Sequence, residues 1–324
     1  MLTYSIAIRT LGSAGDKFRR QLESITRQTV QPEKVIAYIA EGYPRPDFQI
    51  GREIYVPVKK GMVAQRALPY NEIDSDVIFF LDDDVWLAPD AAERMLQAME
   101  SYKADAVGLD VFRNHELPLK AKLWAAASNM VFPHFGNKWA FKIHKNGSFS
   151  YICNPRKEFY LSQSCAGPAF MITKEVYDNL HLEDEIWLDA LEYAYNDDTL
   201  ESYKIYKNGY RLGVLFNSGS IHLDAKTSVY DKKTSAEKVR LRSKASFLIW
   251  HRSIYSTSGK AGKVTSILSF VLKVLWQFVG NSIYAVSKLN PAIVGNYIRG
   301  LNDGVKIIKS APYKNLSPYD VKKA

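Results

Sequence analysis

The run Val77-Ile78-Phe79-Phe80-Leu81-Asp82-Asp83-Asp84-Val85 constrains this chain more than any other stretch. Its five leading apolar residues have the make-up of a fully buried strand. Three carboxylates follow with no turn residue between. Like charges a few ångströms apart disfavour ionisation. A divalent cation removes that cost, and hard oxygen ligands suit Mg²⁺ or Mn²⁺. Asp82 and Asp84 can both reach such an ion from one strand end, and the ion would in turn hold a diphosphate. A solvated turn is the plain alternative, but Phe79-Phe80-Leu81 before the triplet and Val85-Trp86-Leu87 after it argue against one.

The surrounding elements support a buried strand at that point. Tyr4 to Thr10, Val35 to Ile39 and Glu53 to Val58 read as further strands. Phe18 to Gln28, Ala64 to Ile73 (despite Pro69) and Pro89 to Tyr102 read as helices. Strands alternating with helices over the first 110 or so residues predict a mainly parallel sheet covered on both faces. Ligands of such sheets bind beyond the carboxyl ends of the strands, where the three aspartates fall. Further along, Ala169 to Ile172 is a short strand and Lys174 to Leu180 a helix. A helix from Asn196-Asp197-Asp198 to Lys207 and a strand from Arg211 to Phe216 follow, with Ile221-His222-Leu223 in a loop. The aromatics from Trp124 to Tyr160, Phe135 among them, read as core and loop packing. His115, His134 and His144 have no metal-ligand spacing and read as structural.

The chain has 324 residues, 47% of them hydrophobic and 13% aromatic, which excludes a largely disordered protein. Its two cysteines, Cys153 and Cys165, show neither metal-ligand nor disulfide-scaffold spacing and fit a reducing compartment. Met1 to Gly12 is short and strand-like for a secretory signal, with Arg9 interrupting it, so a cytoplasmic catalytic part is expected. Net charge is +9, unevenly placed. Residues 226–324 hold 18 Lys/Arg against 4 Asp/Glu, a net of +14, and the remainder carries −5. A basic, apolar C-terminal region suits anionic lipid better than nucleic acid.

The order of these elements resembles glycosyltransferase family 2, nucleotide-sugar enzymes with the GT-A fold. Four segments carry the resemblance. They are Gln28-Thr29-Val30-Gln31-Pro32 with Gly61 through Arg66, the D-x-D match Asp82-Asp83-Asp84, Gly167 through Ile172, and Asn196 through Leu212. The match spans roughly residues 3 to 225. It implies an α/β fold of the Rossmann-like, nucleotide-sugar-binding kind, with residues 1–110 as donor half and 111–225 as acceptor half. It further implies inverting sugar transfer from a nucleoside diphosphate donor to a saccharide. Under the resemblance Asp84 binds Mn²⁺ or Mg²⁺, Asp82 contacts ribose or metal, and His222 contacts metal or diphosphate. Arg66 would meet the diphosphate, while Thr10, Glu41 and Asp83 line the donor pocket. Asp198 would be the general base, ionised at a helix N-terminus, with Asp197 as the neighbouring alternative. Ala40-Glu41-Gly42-Tyr43 stands where the family has D-D-G-S, and Asp197-Asp198 where it has E-D.

Residues 226–324 read as a helical appendage. Val264 to Val286 is apolar except for a stripe of Ser266, Ser269, Lys273, Gln277 and Asn281, which recurs at helical spacing. The length suffices to span a bilayer, but the stripe and its central lysine favour a helix lying in the interface. Packing on the catalytic part is the plain alternative. Lys260, Lys263, Lys288 and Arg299 would meet anionic head groups. The expected setting is the inner face of the plasma membrane, with a lipid-linked acceptor. Two other readings stay open: a sugar-phosphate nucleotidyltransferase, against which Leu11 to Asp16 offers only two glycines, and a non-catalytic membrane-bound partner.

Overall fold

The computed structural model describes residues 2–112, 132–134, 138–152, 154–193, 196–224 and 232–320. The chain opens with β1 (Tyr4–Thr10), α1 (Asp16–Thr26), β2 (Val35–Ala40), β3 (Ile54–Val58), β4 (Val77–Asp82), β5 (Val85–Trp86), α2 (Ala91–Tyr102) and β6 (Ala106–Leu109). It continues with β7 (Phe132–His134), β8 (Phe141–Ile143), β9 (Phe149–Ile152), β10 (Phe159–Ser162), β11 (Ala169–Thr173) and α3 (Lys174–Leu180). A 3₁₀ segment (Leu182–Ala190), α4 (Asp197–Lys207), β12 (Leu212–Leu215) and β13 (Ile221–His222) complete the sheet-bearing part. The C-terminal helices are α5 (Ser235–Ile249), a π-helical turn (Trp250–Tyr255), α6 (Lys260–Ser287), α7 (Ala292–Lys309) and α8 (Ala311–Lys314).

Eight strands form one sheet in the order β10-β12-β6-β11-β4-β1-β2-β3. The pairs β1–β2, β2–β3, β1–β4 and β6–β12 are parallel. The pairs β4–β11, β6–β11 and β10–β12 are antiparallel. The sheet is therefore mostly parallel, as expected, with reversals confined to its second half. Both faces are covered. Phe18, Leu22, Ile25, Met95, Leu96 and Met99 of α1 and α2 close one side over Ile6, Ile8, Phe79 and Leu81. Tyr70, Val176, Tyr177 and Leu180 close the other over Ala7, Ile78, Phe80 and Phe170. Strand alternation separates these two sets.

Two local expectations are corrected, and one strand was not anticipated. Residues 62–66 form successive turns rather than a helix. Pro69 cannot donate a helical hydrogen bond, Tyr70 sits at φ 45, and Asp189 takes the amides of Val63 and Ala64 at 3.0 and 2.8 Å. Ile221-His222 is a short strand on β5, not loop. β6, too short and glycine-interrupted to stand out in sequence, occupies the sheet interior between β11 and β12.

Cys165 is buried and free, and burial pushes its thiol up to about 12, which leaves it unreactive. Tyr160 is buried in the core, consistent with packing, and His144 Nε2 meets Ser150 Oγ at 3.0 Å. Cys153, His115, Trp124 and Phe135 lie outside the described residues.

The C-terminal helices close over α4 and the β8–β9 turn. Arg252 pairs with buried Glu185 at 2.7 Å. Trp250 stacks on Phe270 at 4.2 Å between ring centroids. α5 and α7 lie so close that a Cβ on Gly300 would sit 2.3 Å from the Arg240 carbonyl oxygen, so that position requires glycine. Among the described residues one helix, Lys260–Ser287, is long and apolar enough to cross a membrane by length and composition.

A candidate active site at the carboxyl end of the sheet

The three aspartates do not stack. Parallel register sets Arg9 beside Asp82, the last residue of β4, and Asp83 and Asp84 follow in the turn. Asp82 accepts from Arg9 Nε at 2.5 Å and Arg9 Nη2 at 3.2 Å, and its Oδ1 also accepts from Arg66 Nη2 at 3.1 Å. Asp83 Oδ2 accepts from the Thr10 hydroxyl at 2.6 Å, and Thr10 Oγ1 accepts from the Gly12 amide at 2.8 Å. Asp84, in the turn after β4, has Oδ1 3.1 Å from His222 Nε2. Two guanidiniums and an imidazole thus offset the charges of Asp82 and Asp84, while Asp83 has the Thr10 hydroxyl and still meets the charge of its two neighbours.

These partners set the charge states. Burial works against the Asp82 charge, but Arg9 and then Arg66 outweigh it and hold the carboxyl at about 2. Burial pushes Asp83 up to about 7 against the Thr10 bond, helped by the charges of Asp84 and Asp82. Burial also works against an imidazolium at His222, yet Asp84 more than compensates and raises it above the usual histidine range.

The base candidates come from a different part of the chain and reach the same sheet end. Arg9 Nη1 lies 3.6 Å from Asp197 Oδ2. Arg66 Nη1 donates to Glu201 Oε2 at 3.3 Å, and its Nη2 donates to the Gly167 carbonyl at 2.6 Å. The Gly167 amide in turn donates to Asp198 Oδ2 at 3.2 Å, and the Thr199 amide to Oδ1 at 2.7 Å. Gly167 is the hinge of this arrangement: a Cβ there would lie 2.8 Å from both Arg66 Nη1 and Asp198 Cβ. The backbone joins in, since the Asp82 amide donates to the Pro168 carbonyl at 2.9 Å. Burial, then the charge of Asp197, raises the Asp198 pKa. That reverses the expectation that the helix dipole dominates, because burial is the larger effect here. A raised carboxylate is the better proton acceptor near neutral pH. Burial likewise pushes Glu201, against Arg66, up to about 8.

Two of the expected donor-site residues are engaged by other side chains in this arrangement. Arg66, expected at a diphosphate, is only 2% exposed and turned onto Asp82, Glu201 and Gly167. Asp82, expected at metal or ribose, has both oxygens on guanidiniums. Buried carboxylates need counter-charge, and these residues supply it to each other. Glu41 is exposed in the turn after β2, where its amide donates to Val58 O at 2.8 Å.

Sequence reasoning passed over Arg9, Gln65, Gly167 as a hinge, and Glu201. Arg9 carried a usable signal, since a lone cation inside a buried strand demands a carboxylate partner. Gln65 Nε2 ties β1 to β2 through the carbonyls of Thr10 at 3.1 Å and Tyr38 at 3.0 Å.

No preassembled cage of three or more His, Cys, Asp or Glu is present among the described residues. The Asp84–His222 pair could take an ion once His222 gives up the proton it shares with Asp84. Two ligands at right angles about Mg²⁺, each at about 2.1 Å, stand about 3 Å apart, close to the 3.1 Å between Asp84 Oδ1 and His222 Nε2. The pair is fixed from the backbone: the His222 amide donates to Val111 O at 2.8 Å and the Leu223 amide to Asp84 O at 2.7 Å. Such ions commonly take few protein ligands and complete their shell with water and substrate phosphate.

The sequence profile of glycosyl transferase family 2 matches residues 22–180. That span carries Glu41, Arg66, the three aspartates and Gly167. Arg9, Thr10, Asp198 and His222 lie beyond it and are brought to them by the fold. No curated protein matches the chain in sequence. Among solved structures, S. aureus TarS superposes with TM-score 0.52 at 10% identity, over 96% of this chain and 50% of that one. GalNAc-T7 with UDP, GalNAc and Mn²⁺ superposes with TM-score 0.47 at 14% identity, over 68% of this chain and 44% of that one. The chain thus spans half or less of the length of either. With the profile match over residues 22–180, the mostly parallel sheet and the carboxylates at its carboxyl end, the chain has a GT-A-like fold and matches glycosyltransferase family 2 over that span.

Proposed function

We propose that the chain is a metal-dependent, inverting glycosyltransferase. It would move a hexose-type sugar from a nucleoside diphosphate donor to a hydroxyl of a saccharide acceptor carried by a lipid, in cell-surface polysaccharide assembly. The observation that supports this best is the junction of Asp82, Arg66, Gly167 and Asp198, which joins a strand-end carboxylate to a carboxylate whose pKa burial raises.

In this reading Asp84 and His222 hold Mn²⁺ or Mg²⁺. The ion, when bound, supplies positive charge against the departing diphosphate. Thr10, Asp83 and Glu41 line the donor side. Asp82 fixes Arg9 and Arg66 rather than touching the ion. Asp198 takes the proton of the acceptor hydroxyl as that oxygen attacks the anomeric carbon from the face opposite the diphosphate. The anomeric C–O bond breaks with its electron pair going to the diphosphate, and configuration inverts. Two amides hold the Asp198 carboxylate, so the base is already oriented when the acceptor arrives. Residues 1–225 would form the catalytic part. Residues 226–324 would carry it to the inner face of the plasma membrane.

The test is release of nucleoside diphosphate by the full chain with Mn²⁺ across UDP-, GDP- and dTDP-sugars. Release with one donor, abolished by chelator, supports the reading. Release unaffected by excess chelator overturns the metal role. Pyrophosphate formed from a nucleoside triphosphate and a sugar phosphate would mark a nucleotidyltransferase instead.

A further inference from the structure

α6 is amphipathic with its faces reversed relative to a surface helix. Its polar stripe points inward: Ser266 is 1% exposed, Lys273 3% and Asn281 7%. Lys273 Nζ donates to the Asn146 carbonyl in the β8–β9 turn at 3.2 Å. The Tyr297 hydroxyl on α7 donates to the Val274 carbonyl at 3.0 Å. The opposite face is apolar and open. Leu268, Leu272, Leu275, Trp276, Val279 and Ile283 are each between 52% and 67% exposed. At the end of the helix Leu289, at φ 50, is 91% exposed. A leucine held in the left-handed region with no packing around it has no folding role there.

A continuous apolar face of this size on a single chain marks an interaction surface, and the charge around it says which kind. Lys260 and Lys288 stand exposed at its two ends, and Arg299, Lys306 and Lys309 stand exposed on adjacent α7. The one carboxylate on α6, α7 and α8, Asp303, is taken by Arg240 at 2.8 Å. A second copy would oppose like rims across an isologous contact. A bilayer with anionic head groups complements both the apolar face and its rim.

We propose that α6 is an in-plane anchor whose Leu268-to-Ile283 face enters one leaflet of an anionic bilayer. Its polar stripe stays docked on the protein. A helix of 28 residues is about 42 Å long, ample to span. Spanning would strip Ser266, Lys273 and Asn281 from their buried seats and carry a lysine through hydrocarbon. Lying flat keeps every one of those contacts. The inference deepens the membrane part of the proposed function, but its test needs no sugar donor, so failure of either can be told from failure of the other.

The experiment is flotation of the full chain with vesicles of phosphatidylcholine alone and of phosphatidylcholine mixed with phosphatidylglycerol. Binding to the mixed vesicles is expected. It should fall about tenfold or more in Leu272→Glu/Leu275→Glu with Tm unchanged, since both side chains are exposed. It should fall about fivefold for each of Lys260→Glu and Lys288→Glu. Release by alkaline carbonate supports the in-plane geometry, and resistance to it overturns that geometry in favour of spanning. No binding to either vesicle, or a solution dimer that Leu272→Glu/Leu275→Glu splits, overturns the proposal.

Discussion

The carboxyl end of the sheet and the face of α6 break the ordinary sorting of residues in opposite directions. The sheet end buries charge: Arg66, Asp197 and Glu201 are all nearly inaccessible. α6 exposes grease while hiding a lysine and an asparagine. In the first region the buried groups find counter-charge inside the molecule, through ion pairs at 3.1 to 3.6 Å, although burial still outweighs Arg66 at Glu201. In the second, nothing within the described chain covers the apolar face. The lesson is that compensation, more than burial, separates a self-contained site from a surface that needs a partner.

The comparison breaks first at the chemistry. Asp84→Ala should lower donor-dependent nucleoside diphosphate release by roughly a thousandfold, through loss of charge stabilisation at the leaving group. Asp198→Asn should lower it by roughly a hundredfold at near-normal donor affinity, as loss of a general base predicts. Steady-state rates decide both, and an Asp198→Asn enzyme as fast as the unsubstituted one would return the role to Asp197. Stability gives the next contrast. Arg9→Met leaves Asp82 and Asp197 without their shared counter-charge and should cost about 3 kcal/mol in chemical denaturation. Leu272→Ser, at an equally apolar-flanked but exposed position, should stay within about 0.5 kcal/mol. Equal losses would erase the distinction between the two regions.

The pH dependence of stability should have opposite signs in the two places. Unfolded Glu201 releases its proton near pH 4.3, whereas folded Glu201 keeps it to about 8. Between those values the folded state binds more protons, so stability falls as pH rises, and Glu201→Gln should remove that slope. Lys273 runs the other way. Burial lowers it to about 7 in the folded chain, while the unfolded side chain holds its proton to about 10.4. Stability therefore rises with pH across that window, and Lys273→Met should flatten the rise. Denaturation midpoints measured from pH 5 to 10 read both, and a Lys273→Met curve parallel to the unsubstituted one would contradict the burial of that amine.

Much of the sheet was legible because β1, β2 and β4 are short, continuously apolar runs between clear breaks, and α2 carries its apolar spacing openly. The strand-end carboxylates were visible as residues but not as an arrangement. Asp82-Asp83-Asp84 reads as one cluster along the chain, whereas the end of β4 and the turn into β5 give each a separate partner. Arg66 was found, but its direction depends on Gly167 and Glu201, about 100 and 135 residues away. The stripe on α6 shows the limit most clearly. Periodicity establishes that a helix has a polar face and leaves open whether that face meets water or protein. Only the seat offered by Asn146 and Tyr297 decides it.

Calorimetric titration of Mn²⁺ into the full chain, alone and with UDP, GDP or dTDP, tests the central claim most directly. Weak binding is expected alone, tightening about tenfold or more with one nucleotide as its phosphates complete the shell, and no binding in Asp84→Asn. Mn²⁺ binding that is indifferent to every nucleotide and survives Asp84→Asn would contradict it.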